Sequence, residues 1–470
     1  MDSNDIGVRS NVCNEYLKYR ELPNALMNGT KAMVDAGEKF TPRYPAEDLQ
    51  TYQLRLKGVQ LFNGFELTVQ SMLGKIFARD VMLNDDVPET IATYAENIDG
   101  QGRNLTMFAL DVMRAGLVDG ISFVYADFPK VQTADGTKPF LTHQIANGAR
   151  PNAIHYKADQ ILGFAHSNID GKEQLTQVRI LEYVTDTNSL TFSDVIIEQI
   201  KVLNIGSYQI YRRDENSMSK DWVLYDEGSI SLSYIPLIPF YVNRTNYMLG
   251  KPPLRTLAEM NLEHWISSSE QRKALIFERF AMIVFTGVPP GTDIPVGPDK
   301  IICLTDPMAK WGTIESSGKG LEAGRLDIEN IERRMQTASM TINLQNKTAG
   351  VTATEVVVDT EEANSALMSI VASLEDCLAN MLQAFADYEL LDDGGTVTIN
   401  KEFGRRKSKL SVNDFVALML NGIVSSQTIF QELQRRGDLS EDLNYDDVSA
   451  QSLEDTIKLM GLQKNDNDSL

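Results

Sequence analysis

The spacing of apolar residues changes character along the chain. In "LQTYQLRLKGVQLFNGFELTVQSMLGKIF" (residues 49–77), Tyr52, Leu56, Val59, Phe62, Phe65, Val69 and Leu73 recur every three or four positions, one face of an amphipathic helix. Gly58 and Gly64 fall within it and mark a bend or a point of close packing. Residues from about 13 to 118 read as helical, with a break at Gly100 and Gly102 and an end at Gly120. From Ile121 to about Val242 the period shortens. "ISFVYADF", "AIHYKADQILGF", "TQVRILEYV", "DVIIEQIKVL", "SYQIYRR" and "DWVLYDE" are short β-branched and aromatic runs between polar turn clusters, which predicts an antiparallel β-rich region. "PLIPFYVNR" closes it, and its prolines suit an edge or an exit.

Helical spacing returns after Pro252 and Pro253. Over residues 255–280 the core-facing positions would be Leu257, Asn261, Trp265, Ser268, Arg272 and Leu275, a stripe more polar than a buried helix carries. A short insert, residues 281–318, has turn signals at Pro289–Gly291 and Gly297–Asp299 between strand-like runs. In "GRLDIENIERRMQTASMTIN", Ile328, Ile331, Met335, Ala338 and Ile342 step by 3, 4, 3 and 4. This is the narrow seam of a helix packed lengthwise against a similar one, flanked by Glu329, Glu332, Arg333 and Arg334. A polar loop follows. Thr352 and Glu355 then have capping-box spacing ahead of a helix reaching about Leu391, roughly 50 Å long. Asp392–Gly395 would stop it. The remainder predicts a short strand, a basic loop and two short helices starting at Ser411 and at Ser425 or Ser426.

Composition narrows the class. Of 470 residues 43% are hydrophobic and 23% charged, as in a globular protein, and no run of about 18 apolar residues predicts a membrane span. The polar N-terminus lacks a secretory pattern, and Cys13, Cys303 and Cys377 are too few and too scattered for a disulfide framework, so assembly in a reducing cytoplasm is expected. Net charge is −21, which argues against coating nucleic acid but not against touching it in passing. The metalloprotease, nucleophile-elbow and phosphate-loop motifs are missing, and the four histidines have no metal-ligand spacing. "SGKGLEAG" places its lysine wrongly for a phosphate loop. No enzyme activity, cofactor or metal is expected. Two basic features stand out against the acidic background: Lys347, alone in its loop, and "KEFGRRKSK", carrying Lys401, Arg405, Arg406, Lys407 and Lys409.

The serial order of these elements resembles the portal proteins of tailed bacteriophages. The phrases "GKPPLRTLAEMNLEHWISSSEQRKALIFERF", "KTAGVTATE" and "LSVNDFVALMLNGIVSSQTIFQELQRRGDL" also resemble that family, as does "YQLRLKGVQLFNGFELTVQSMLGKIFARD" near the start. The resemblance implies an α+β, mainly helical, portal-protein fold with wing, stem, clip and crown regions, forming a ring. Residues 1–253 would be the N-terminal helical region and β-rich wing, 254–281 the first stem helix, 282–318 the clip and 319–343 the second stem helix. Residues 344–351 would be the tunnel loop, 352–393 the long wing helix and 394–470 the crown. The implied role is a ring of twelve subunits at one capsid vertex of the virion, through which double-stranded DNA is packaged and ejected. Its partners would be the terminase large subunit, the head–tail adaptor and the major capsid or scaffold protein. Carried onto this sequence, Asn346, Lys347 and Thr348 would face DNA, and Ile328, Ile331, Met335 and Ala338 would pack between subunits. The basic loop, from Lys401 to Lys409, would lie near DNA. Another phage structural protein (a capsid or adaptor component) and an enzyme with an unrecognised site remain the alternatives.

Overall fold

Ser10 opens the first helix: its hydroxyl accepts from the Cys13 N–H at 3.3 Å, satisfying a donor that the first turn leaves free. Helix α1 (Asn11–Met27) follows, then α2 (Gly29–Asp35). The structure, a computed structural model, describes residues 6–129, 149–169, 171–188, 193–213, 221–279, 282–286, 308, 310–314, 319–343, 353–401, 403, 414–415, 418–419, 424–435, 439, 443–445 and 448–449. It is mixed α/β, and the chain divides into two units, Met1–Lys401 and Glu402–Leu470.

The apolar stripe of residues 49–77 is carried by two helices, α3 (Leu49–Lys57) and α4 (Gly64–Ile76). The break has a physical cause. Asn63 caps α4 by accepting from the Glu66 N–H at 3.1 Å. The buried amide of Asn261 accepts from the Phe65 N–H at 3.0 Å and donates to the Phe62 carbonyl at 2.9 Å. Side chains therefore satisfy the backbone groups that a continuous helix would have paired. The stripe still buries Tyr52, Leu56, Val59, Phe65, Val69 and Leu73, while Phe62 is exposed. Gly64 is a place of close approach, since a Cβ there would lie 2.6 Å from Met335 Cε.

After β1 (Met82–Leu83) and α5 (Glu89–Tyr94), α6 (Leu105–Asp119) starts under an Asn104 cap and ends at Gly120 in a left-handed conformation. The chain then enters β2 (Ile121–Asp127), whose first six residues are all buried. β2 is the centre of a three-stranded antiparallel sheet between β3 (Asn152–Lys157) and β9 (Leu237–Tyr241). Pro239 pairs opposite Phe123 on β9, an edge strand, where its missing N–H costs no ladder bond.

A five-stranded antiparallel meander runs β4 (Ile161–Ile169), β5 (Lys172–Asn188), β6 (Ser193–Asn204), β7 (Ser207–Arg213) and β8 (Trp222–Ser229) in sequence order. Strand alternation gives it two different faces. Leu162, Ile200, Val202 and Trp222 form an apolar cluster joined by Ile6, Leu181 and Tyr211. On the other face Gln199 donates to Glu182 at 2.6 Å and accepts from Arg212 at 3.0 Å, while Tyr156 donates to Glu182. This ladder satisfies polar groups that burial would otherwise penalise. His155 bonds Ser122 at 3.1 Å on the smaller sheet, and burial pushes its pKa down to about 4, so it stays neutral.

The short hairpin of β10 (Arg244–Asn246) and β11 (Leu249–Gly250) leads to α7 (Arg255–Arg279), β12 (Met282–Thr286), β13 (Lys310–Ile314), α8 (Lys319–Asn343) and α9 (Ala353–Glu389). The 37 residues of α9 span about 55 Å. Its C-terminal half buries Leu367, Val371, Leu374, Cys377, Leu378, Met381, Leu382 and Phe385, and it packs on β2 and β9. Ser373 donates to the Tyr241 carbonyl at 2.8 Å, and Tyr234 to Asp387 at 2.6 Å. Burial pushes the Cys377 thiol up to about 12, so it is an inert core group.

Helix α9 stops at Leu390, ahead of the expected Asp-Asp-Gly-Gly signal. Leu390 adopts φ +61°, and the Leu391 N–H reaches the Ala386 carbonyl at 2.9 Å. A left-handed residue with a side chain is strained, and this one is exposed. Leu390→Gly is therefore expected to stabilise the fold by about 1 kcal/mol, measured as a rise in denaturation midpoint without a change in slope.

The stretch after α9 stays with the first unit as far as Lys401. β14 (Val397–Thr398) pairs with β1, and the Ile399 N–H donates to Glu375 of α9 at 2.9 Å, which holds this stretch in the first unit. In the second unit α10 (Ser426–Arg435) begins where Ser425 accepts from the Thr428 N–H at 3.2 Å, and Phe430 meets Tyr445 edge-on.

Candidate functional site

Helices α7 and α8 run antiparallel: cross-pairs later along α7 fall earlier along α8. Arg334 meets Glu263 at 3.4 Å, His264 Nε2 meets Glu332 at 3.1 Å, Ser267 donates to Asp327 at 3.1 Å, and Gln271 donates to the Leu321 carbonyl at 2.8 Å. Beyond α7 the hairpin of β12 and β13 pairs the two chain segments again, Met282 opposite Ile314 and Thr286 opposite Lys310. The two helices, each about 37 Å long, and the hairpin thus form one arm. Gly324 permits that closeness, because a Cβ there would collide with the Gln271 amide.

The polar stripe of α7 has partners within the chain. Asn261 is fully buried on the α4 N-terminus. Trp265 is 1% exposed and donates to the Thr41 hydroxyl at 2.7 Å. Ser269, not Ser268, is the buried serine, and it accepts from Arg55 at 3.0 Å; Arg272 is exposed. The polarity of the stripe is met at these positions within the chain, by α3, the start of α4 and Thr41.

The seam of α8 follows the same rule. Ile331 and Met335 are 1% and 2% exposed, and Ile328 and Ala338 are half-buried. Helix α8 packs on α7 and α4, with Met335 against Gly64. At Ile331 and Met335 the packing partner therefore belongs to the same chain, and these side chains have no surface left for a second copy. Beside the seam Met260, Asn330, Arg333, Arg334, Thr337 and Ala338 line an open groove of about 530 Å³.

The later part of α7 is held by a buried ionic network. Glu47 accepts from Arg55 at 3.0 and 2.8 Å and from Lys273 of α7 at 3.1 Å. Arg55 also donates to the Pro42 carbonyl at 2.9 Å and lies over the rings of Tyr44 and Tyr52. Tyr44 donates to Glu270. Hydrogen bonds from Arg55 first, then Lys273, hold the Glu47 carboxyl down at about 2, against the burial that would raise it. No sequence spacing marks this set; Glu47 and Arg55 read as ordinary turn and helix charges.

Of the DNA-facing candidates, Asn346, Lys347 and Thr348 lie outside the described residues, as do Arg405, Arg406, Lys407 and Lys409. Lys401 is described, and its ammonium pairs with Glu375 at 2.5 Å. Its charge is thus engaged within the chain. Thr352 of the capping box is likewise outside the described residues. Among the described residues no helix is long and apolar enough to cross a membrane, and no cluster of His, Cys, Asp or Glu could hold a metal ion.

A family model described as "Domain of unknown function (DUF4055)" matches residues 253–389. The match opens just before α7 and closes with α9, so it takes in the arm and the long helix together. No curated protein matches. Among solved structures the chain is similar to one from a "Virion of native gene transfer agent (GTA) particle", at 11% identity and TM-score 0.38, covering 93% of this chain and 100% of that one. It is similar also to one from the "Neck of native GTA particle computed with C12 symmetry", at 10% identity and TM-score 0.37, covering 93% and 99%.

Proposed function

We propose that this chain is the portal protein of a tailed phage: a non-enzymatic ring of twelve copies at one capsid vertex, through which double-stranded DNA is packaged and later ejected. The observation that carries the reading is the arm. Two antiparallel, cross-bonded helices with a strand hairpin at one end and a 37-residue helix following come in the order of stem, clip, stem and wing helix that the sequence resemblance implies, and this supports the reading. In this reading the hairpin end meets the terminase large subunit and then the head–tail adaptor, while the wing meets the major capsid or scaffold protein. Assembly takes place in the host cytoplasm.

The charge suits such a channel. Twelve copies of −21 give roughly −250, a wall that repels a polyanion and lets it slide past a few basic contacts. Lys347 is the contact this reading names. Electron microscopy of the purified full chain is expected to show rings with a central channel; monodisperse monomers would overturn the proposal. In a phage lacking its own portal, Lys347→Glu is expected to support ring assembly but to lower packaged DNA about tenfold or more. Wild-type packaging by that variant would remove Lys347 from the role.

A further inference from the structure

With Ile331 and Met335 buried inside the chain, the arm can meet another copy only through its flanks, and the two flanks of α8 differ in charge. At 100° per residue, Asn330, Arg333, Arg334 and Thr337 fall on one side of the buried line. Glu322, Arg325, Glu329 and Glu332 fall on the other. The first flank holds two guanidiniums against the carboxylates of Glu263, at 3.4 Å from Arg334, and of Asp327, one heptad before Arg334 and bonded by Ser267 at 3.1 Å, so that α8 itself carries one net positive charge there. Arg333 donates to the Asn330 side chain at 3.2 Å and, among the described residues, meets no carboxylate. The second flank holds three carboxylates against one guanidinium, that of Arg325, which bridges Glu322 at 2.6 Å and Glu329. Met260 and Ala338 floor the groove on the basic side.

We propose that the Arg333–Arg334 groove of one copy receives the Glu322–Glu329 flank of α8 from the next copy. This inference rests on the ring reading and adds to it the faces that meet. A ring closes by a head-to-tail contact, which requires two different and complementary surfaces on each copy. One helix here presents both, with opposite net charge. A passing DNA backbone is the competing occupant of the arginines. Glu263, paired with the groove-lining Arg334, and the chain's net charge of −21 count against a polyanion settling there.

The test is charge reversal followed by a swap, in the full-length chain. Arg333→Glu with Arg334→Glu, and separately Glu322→Lys with Glu329→Lys, each place like charges across every contact. Each pair is expected to lower the assembled fraction in sedimentation velocity about tenfold or more at equal concentration, with an unchanged circular dichroism spectrum. The chain carrying all four changes restores complementarity and is expected to assemble within about threefold of wild type. Wild-type assembly by either reversed pair, or a four-change chain as impaired as the pairs, would overturn the proposed faces while leaving the ring intact as a reading. Wild-type chain that never assembles would overturn the ring reading itself. A short DNA duplex bound by wild-type rings and lost by normally assembling Arg333→Glu/Arg334→Glu rings would reassign the groove to DNA and overturn the proposal.

Discussion

Glu47→Gln is expected to destabilise the first unit by about 3–5 kcal/mol at pH 7, read from denaturant unfolding. The carboxylate is almost wholly shielded from water and holds both the Arg55 guanidinium and the Lys273 ammonium. An amide keeps the shape but removes the charge, and Arg55, equally shielded, is left without its counter-ion. Lys273 is partly exposed and can turn to water, so the cost falls mainly on Arg55. The pH dependence follows from the depressed carboxyl. Its folded value of about 2 lies below the ordinary 4.5, so its stabilisation is fully present above about pH 4.5 and fades as pH falls towards 2. The gap between wild type and Glu47→Gln should therefore close over that range. A gap that stays constant from pH 7 to pH 3 would show that the pair is not the source of the loss. The network also ties the α3 region to α7 at Lys273, so the variant should loosen that attachment.

Local signals were legible in the sequence, and tertiary partners were not. The helix-to-strand change at Gly120 and Ile121, the edge placement of Pro239 and the cap at Ser425 all depend on residues within a few positions, and each is present in the structure. The seam over Ile331 and Met335 was visible as a period of three and four. A period specifies that a face is covered but not by what, and the cover is the chain's own α7 and α4. The same reason explains the polar stripe of α7. Asn261 looked too polar for a core, and Ser268 was taken for the stripe position that Ser269 holds, because the partners that decide it, the start of α4 and Arg55, are some 200 residues away. Gly58 and Gly64 marked a bend, but its extent, a full break between α3 and α4, was hidden for that reason too, since the amide that replaces the helical bonds comes from Asn261. Lys401 read as a free basic residue because Glu375, its partner, is on a different element.

Gly120→Ala is expected to cost more than about 4 kcal/mol, enough to prevent accumulation of soluble protein, because two penalties fall on one atom. Gly120 closes α6 at φ +83°, where its N–H reaches the Gly116 carbonyl at 2.8 Å. A side chain there costs about 1 kcal/mol from conformation alone. The larger penalty is steric, since the added Cβ would sit inside the contact distance of the Lys251 carbonyl. That neighbour is backbone and has no rotamer by which to move away. Gly250 faces the same contact from the other side, a Cβ there lying 2.6 Å from the Gly120 carbonyl oxygen. The junction is also bonded from all directions. The Gly120 carbonyl accepts from the Val242 and Asn243 N–H groups at 3.1 Å, and buried Arg20 donates to the carbonyls of Asp119 and Gly250 at 3.2 Å. Pushing residues 250–251 outward would break these bonds and strand Arg20, whose charged form burial already disfavours. Gly102→Ala isolates the conformational part. Gly102 has φ +97° with nothing within 4 Å of an added Cβ, so its cost should stay near 1 kcal/mol. If both variants lose the same stability, the clash is absent and strain alone accounts for Gly120. If they differ as expected, the Gly120–Gly250 approach is what fixes the direction in which Lys251 leads into α7, and hence how the arm leaves the β-rich region.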